Sequence, residues 1–205
     1  MVENVEFKGH ATFKIKGSKV IYTDPYQIGT EEPADIILVT HSHFDHCSPE
    51  DIRKLVTENT KIICSKDCVG KLRDLGGEVK GVEPGNIIDV DGVKIEVVPA
   101  YNINKTFHPK SSRWNGYVFT LDGVTYYHPG DTDKIPEMSD IKANVVFLPV
   151  GGTYTMDWKE AAEAAKLINP DVVIPMHYGA VVGSEKDAEE FAHLVGSKAR
   201  ILPVS

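Results

Sequence analysis

The chain has 205 residues, of which 41% are hydrophobic and 25% charged, with a formal net charge of −8 at pH 7. That length and balance suit one globular domain with a substantial core. The acidic excess argues against nucleic acid or anionic membranes as default partners, and no apolar run approaches the roughly 20 residues of a membrane span. The opening Met1-Val2-Glu3-Asn4 lacks the basic-then-apolar layout of a signal peptide. The three cysteines, 47, 64 and 68, are an odd number without framework spacing. The expectation is a cytoplasmic protein acting on a small-molecule substrate, with self-association left open.

Residues 3–23 alternate apolar and polar (Val5, Phe7; Phe13, Ile15; Val20, Tyr22), which predicts a meander of antiparallel strands. Asp24-Pro25 closes the third, since proline cannot continue a central ladder. The run Ile36-Ile37-Leu38-Val39 is short, β-branched and unbroken, the mark of a strand buried on both faces. A helix is expected over about 49–58, led by Ser48-Pro49. A short strand follows at 62–64, then a helix over 66–75 closed by Gly76-Gly77. Strands at 86–90 and 93–98 flank the hairpin signal Asp91-Gly92, and strands at 117–121 and 124–127 flank a second one, Asp122-Gly123. A buried strand at 145–149, a helix over 157–168 opened by the capping box Asp157–Glu160 and a strand at 172–175 come next. A last helix over 185–195, capped by Ser184, and an edge strand at 201–202 complete the order. Meanders followed each time by strand–helix units predict two sheets packed face to face with helices outside, an α/β (α+β) arrangement in a single domain spanning 1–205.

Chemistry concentrates in Thr40-His41-Ser42-His43-Phe44-Asp45-His46, where three of the eight histidines and a carboxylate fall directly after a buried strand. His41 and His43 are two apart, so in extended backbone their imidazoles project to one side. Imidazole nitrogens suit zinc, iron or manganese, and a carboxylate adds charge compensation. Asp131, in Gly130-Asp131-Thr132-Asp133, is read equally as a metal carboxylate and as part of an ordinary turn. His177 follows a strand as His41 does. His108 sits in a long irregular segment of the kind that usually carries function. His10 is open to a structural reading and to one at the site mouth. His128 is assigned to packing or support, His193 to the surface, Cys64 to the core, and Cys47 to a bystander thiol.

Together, the 40–46 motif, Gly130-Asp131-Thr132 and Pro175-Met176-His177-Tyr178-Gly179 resemble the metallo-β-lactamase superfamily. The likeness is strongest to its branch of small cytoplasmic metal-dependent hydrolases, which includes the ascorbate-phosphate lactonase. It extends from Gly9-His10 through 151–156 to 175–179, nearly the whole chain. The resemblance implies a four-layer αββα sandwich and two divalent metal ions, zinc first, with manganese or iron as alternatives. It implies His41, His43 and a third histidine on the first metal, Asp45, His46 and His177 on the second, and Asp131 bridging. Catalytic roles fall to Asp45 and His177. Asp24 corresponds to an aspartate supporting the site from behind its ligands. The third histidine is where the chain departs: Pro99-Ala100-Tyr101 is followed by Asn102 rather than histidine, leaving His108 or Asn102 for that position, with His108 assigned. Arg113, Trp114, Tyr154 and Tyr178 lie on loops near these residues and are candidates for substrate contact. An arginine there would hold a phosphate or carboxylate, so the expected reaction is hydrolysis of a small anionic ester, lactone or phosphoester by metal-activated water. The competing classes are a di-iron redox protein of the same fold, a non-catalytic metal binder and a nuclease, the last disfavoured by the acidic charge.

Overall fold

The computed structural model describes residues 2–205. The first sheet contains β1 (Val5–Gly9), β2 (Thr12–Lys16), β3 (Val20–Thr23), β4 (Ile36–Val39), β5 (Lys61–Ser65) and β6 (Glu78–Val82). The second contains β7 (Ile87–Val90), β8 (Val93–Pro99), β9 (Asn115–Leu121), β10 (Val124–His128), β11 (Val145–Pro149) and β12 (Val172–Met176). Each sheet lays its strands side by side in sequence order. The early strands of each pair antiparallel, and the later ones, β3 to β6 and β10 to β12, pair parallel. Both Asp-Gly hairpins form as expected, with positive φ at Asp91, Gly92, Asp122 and Gly123, the requirement of a type I′ turn.

Buried strands show on which layer each residue lies. In β4, Ile36 and Leu38 join the main core, while Ile37 and Val39 join a second core on the other face, as period-two alternation demands. The second core is roofed by α1 (Pro49–Leu55) and α2 (Val69–Leu72), which contribute Ile52, Leu55 and Leu72. The main core runs between the sheets, where Phe13 of β2 stacks on Phe147 of β11 at 4.1 Å. It continues beneath α3 (Trp158–Ile168) and α4 (Glu185–Val195), which bury Ala161, Ala165, Ala188 and Phe191. The layers are helix, sheet, sheet, helix, the expected αββα sandwich. No helix among the described residues is long and apolar enough to cross a membrane.

Four local expectations are corrected. Strand β6 is additional to the expected ones: it is an edge strand with mostly exposed or half-buried residues and a glycine at 81, so it lacks the apolar signature of its neighbours. The helix expected over 66–75 is a 3-10 turn over Lys66–Cys68 followed by the single turn of α2. Helix α1 stops at Leu55 because Val56 is extended and the Thr60 hydroxyl takes the Thr57 N–H. No strand forms at 201–202. The chain end instead makes isolated bridges, Val173 with Ala199 and Phe7 with Val204.

Candidate metal centre

The candidate residues collect at one end of the sandwich, on segments that leave strands. His41 to His46 follow β4, Asn102 to His108 follow β8, Asp131 follows β10 and His177 follows β12; His10 lies in the turn between β1 and β2. The fold brings them into two adjoining groups, His41, His43, His108 and Asp131, and His10, Asp45, His46 and His177. Within each group one ligand-type atom per residue lies within 4.8 Å of all the others. Asp131 sits at the junction: its carboxylate is 3.2 Å from His108 Nε2, 3.2 Å from His46 Nε2 and 3.1 Å from His177 Nε2.

Groups behind these side chains fix which nitrogen faces inward. Asp24 Oδ2 accepts from His46 Nδ1 at 2.7 Å and from the Thr40 hydroxyl at 2.7 Å. Thr40, its one hydrogen committed, accepts from His41 Nδ1 at 3.0 Å. One buried carboxylate thus engages the Nδ1 sides of two imidazoles, directly and through Thr40, and leaves each Nε2 turned to the centre. His108 is held by a separate pair of acceptors: its Nδ1 lies 3.1 Å from both Asn102 Oδ1 and the Tyr154 carbonyl. Both accept only, so Nδ1 carries the hydrogen and Nε2 is free toward Asp131. Asn102 also takes the His108 N–H, and its amide donates to Asp133 and the Tyr154 carbonyl. Of the two residues open for the third position, His108 faces the centre and Asn102 orients it.

All of these candidate donors are buried except His43, which is half-buried. His46 Nε2, His108 Nε2, both nitrogens of His177 and Asp131 Oδ1 make no hydrogen bond although buried; their close approaches to one another lack hydrogen-bond alignment. Leaving so many polar atoms unsatisfied is costly unless a cation occupies the space between them, so the donor set fits divalent metal ions. Burial alone would raise Asp131, but His177, His46 and His108 hold its carboxyl well below the usual range. For Asp45, burial is outweighed by the hydrogen bond from His10 and by His46, and its pKa falls to about 2. Burial pushes His41 well down, reinforced by His46; His43 and His10 are lowered for the same first reason. Burial works against protonation of His46 too, but Asp131 and Asp24 raise it well above the ordinary histidine value.

The remaining candidates separate. His10 reaches the centre: its Nε2 is 2.9 Å from Asp45 Oδ2. His128 is buried, donates to the Ala11 carbonyl and accepts from Gly130 N–H, so it steadies the turn before Asp131. Trp114 packs on His41 and His43 at 4.8 and 4.9 Å and donates to Asp67. Tyr154 lines the cavity above the donors. Arg113 does not: its exposed side chain donates to Glu83, from a left-handed backbone position that ends a 3-10 turn. Tyr178 is buried against Phe7 and lines a different cavity. Cys47, Cys64 and Cys68 are buried outside both donor groups. Sequence reasoning missed Thr40, Asn102 as an orienting residue and Asp133; the second acid of Gly-Asp-Thr-Asp was the available signal for the last.

Residues 4–177 match the beta-lactamase superfamily domain. The UPF0173 metal-dependent hydrolase of Pyrococcus abyssi is 37% identical over 217 residues, covering 97% of this chain and 94% of that one. A crystal structure from Parabacteroides distasonis superposes with a TM-score of 0.86 at 34% identity, covering 98% of this chain and 93% of that chain. Igni18, a metallo hydrolase from Ignicoccus hospitalis, gives a TM-score of 0.79 at 27% identity, with 98% and 95% covered. With its αββα layers and paired clusters of histidine and aspartate, the chain belongs to the metallo-β-lactamase superfamily, in the UPF0173 group of metal-dependent hydrolases.

Proposed function

We propose that the protein hydrolyses a small ester, lactone or phosphoester at a dinuclear centre. His41, His43 and His108 would hold one divalent ion, Asp45, His46 and His177 the other, with Asp131 shared; zinc suits this histidine-rich set best, and manganese or iron are compatible. The observation that carries the reading is the convergence of buried, unpartnered imidazole nitrogens on Asp131. Two cations bound there would bring the pKa of water toward neutrality and polarise the substrate's carbonyl or phosphoryl oxygen.

The chain's own contribution is positioning. Asp24, Thr40, Asn102 and the Tyr154 carbonyl lock three imidazoles in the tautomer that offers Nε2. Asp45 lines the cavity, and His10 Nε2 donates to its Oδ2 at 2.9 Å. Its part is therefore to orient the attacking water, with His10 fixing the carboxylate. His177 delivers its ring from a left-handed backbone position, with its N–H given to the His10 carbonyl. Arg113, the basis for an anionic substrate, lies away from the cavity, so substrate charge is not set by it.

The test is metal analysis with a panel of esters, lactones and phosphodiesters. The wild-type protein should bind two divalent ions and turn over at least one class. His43→Ala and Asp131→Ala should lose turnover by about a thousandfold or more, the scale on which removing a transition-state-stabilising group acts, while circular dichroism shows the fold retained. Retained turnover in metal-verified variants would reject the assignment. Two bound metals without any turnover would favour the non-catalytic binder, and iron with a visible absorption band the redox protein.

A further inference from the structure

The cavity above the donors has a volume of about 250 Å³, below the range typical of drug-sized ligands. Its floor is His43, Asp45, His108 and Asp131, and its other lining side chains are Phe44, Phe107, Tyr154 and Val181. Those four come from separate loops, and three of the loops also deliver a donor: Phe44 lies between His43 and Asp45, Phe107 precedes His108, and Val181 follows His177 by four residues. Phe44 is 65% exposed, Phe107 45% and Val181 38%. An apolar side chain held that open to water at one residue is unremarkable, but three converging on one cavity mark a binding surface. Other exposed large apolar residues, such as Ile87 and Leu167, lie on elements that do not reach it.

Cationic side chains on or against the donor-bearing loops are engaged elsewhere. Lys105 donates to Asp133, Lys110 to Glu137 and Tyr101, Lys71 to the Ser42 carbonyl, and Arg113 to Glu83. Among the described residues no lysine or arginine lines the cavity. A charged group remote from the metals would therefore lose hydration without gaining a partner. The Phe107 and Tyr154 rings meet edge to face at 4.8 Å, and Phe44 meets Tyr26 in the same way at 5.9 Å, so both phenylalanine rings are held by a neighbour.

We propose that the group carried next to the scissile bond is uncharged and apolar, an aryl or branched alkyl substituent seated between Phe44, Phe107, Tyr154 and Val181. This rests on the metal-hydrolase reading of the same centre, since the donors form the floor on which the reacting group would lie. The apolar walls select the substituent, and the donors engage only the ester, lactone or phosphoryl oxygen.

Binding and turnover test this separately on the metal-loaded protein. Calorimetric titration would compare phenylphosphonate, methylphosphonate and phosphonoacetate, which share an anionic head and differ in the substituent. Phenylphosphonate should bind about tenfold or more tighter than methylphosphonate, the discrimination that a few buried methylenes provide, and phosphonoacetate no tighter than methylphosphonate. In turnover, the ratio of kcat/KM for an aryl ester to that for the matching methyl ester should fall about tenfold in Phe107→Ala and in Phe44→Ala. Ile87→Ala, remote from the cavity, should leave that ratio unchanged. Preference for phosphonoacetate, or an unchanged ratio in both phenylalanine variants, would overturn the proposal; if turnover still depended on Asp131, the hydrolase reading would stand. The phenyl preference in binding without turnover of any ester would uphold the apolar seat and sink the hydrolase reading instead.

Discussion

Asp24 shows how much of the centre depends on a residue that touches none of its space. Its two oxygens accept from Thr40 N–H, the Thr40 hydroxyl and His46 Nδ1, so one carboxylate sets the tautomer of His46 directly and of His41 through Thr40. Removing it frees both rings to rotate and lets Nε2 carry the hydrogen. Asp24→Ala should therefore weaken metal affinity by about 10–100-fold, the usual penalty for losing an orienting partner. Competition with a chromogenic chelator would measure it. Unchanged affinity would show that the rings are fixed by packing alone. The same residue marks what sequence conveys at this scale. The donors announced themselves through spacing within 40–46 and through isolated histidines after strands. Their orienting partners did not, because Thr40 and Asn102 act through hydrogen bonds whose direction only the folded backbone sets. Arg113 failed for the converse reason: proximity in sequence to Trp114 says nothing about which way a side chain turns.

The turn between β10 and Asp131 is closely packed. Gly130 has φ +65, and a Cβ added there would stand 2.9 Å from both the Asn115 carbonyl and Thr40 Cβ. That turn lies against both the β4 exit and β9, so it cannot shift without moving Asp131 relative to His41. Gly130→Ala should lower stability by about 1–3 kcal/mol through strain and overpacking and reduce bound metal at the same time. Thermal unfolding with and without metal, beside metal analysis, would read both; loss of stability with full metal content would separate the turn from the centre. Elements with strong apolar runs, such as β4, β11 and β12, were legible from composition. Strand β6 and the chain end were not, because an edge strand needs only one neighbour and two isolated bridges need no pattern at all.

Across the whole molecule, the donors divide between the sheets: His10, His41, His43, Asp45 and His46 belong to the first, His108, Asp131 and His177 to the second. Cations shared between them would fasten one sheet to the other, adding to the Tyr117 hydroxyl's bond to the Val39 carbonyl and that of His128 to Ala11. Metal at a thousand times its Kd would contribute about 4 kcal/mol. Chelation should accordingly lower Tm by about 8–16 °C, at about 2–4 °C per kcal/mol for a domain this size. The metal-free protein should also lose stability in mild acid. His10, His41, His43 and His128 have folded pKa values below the ordinary 6.5, so their contribution is complete above 6.5 and declines as pH falls below it. His46, raised well above 6.5, contributes fully below that value and fades only as pH rises through its folded pKa, so it does not offset the acid loss. Scanning calorimetry of the metal-free protein between about pH 7 and 5, the range in which histidine titrates, would test the sign; a Tm that rises on acidification would contradict it.

Because each sheet adds its strands strictly in chain order, every residue of the first sheet, through Val82, is synthesised before His108, Asp131 and His177. A nascent chain that ended there would carry only the first sheet's candidate ligands and would lack Asp131. A cation that needed both groups could therefore bind only after β12 has been made.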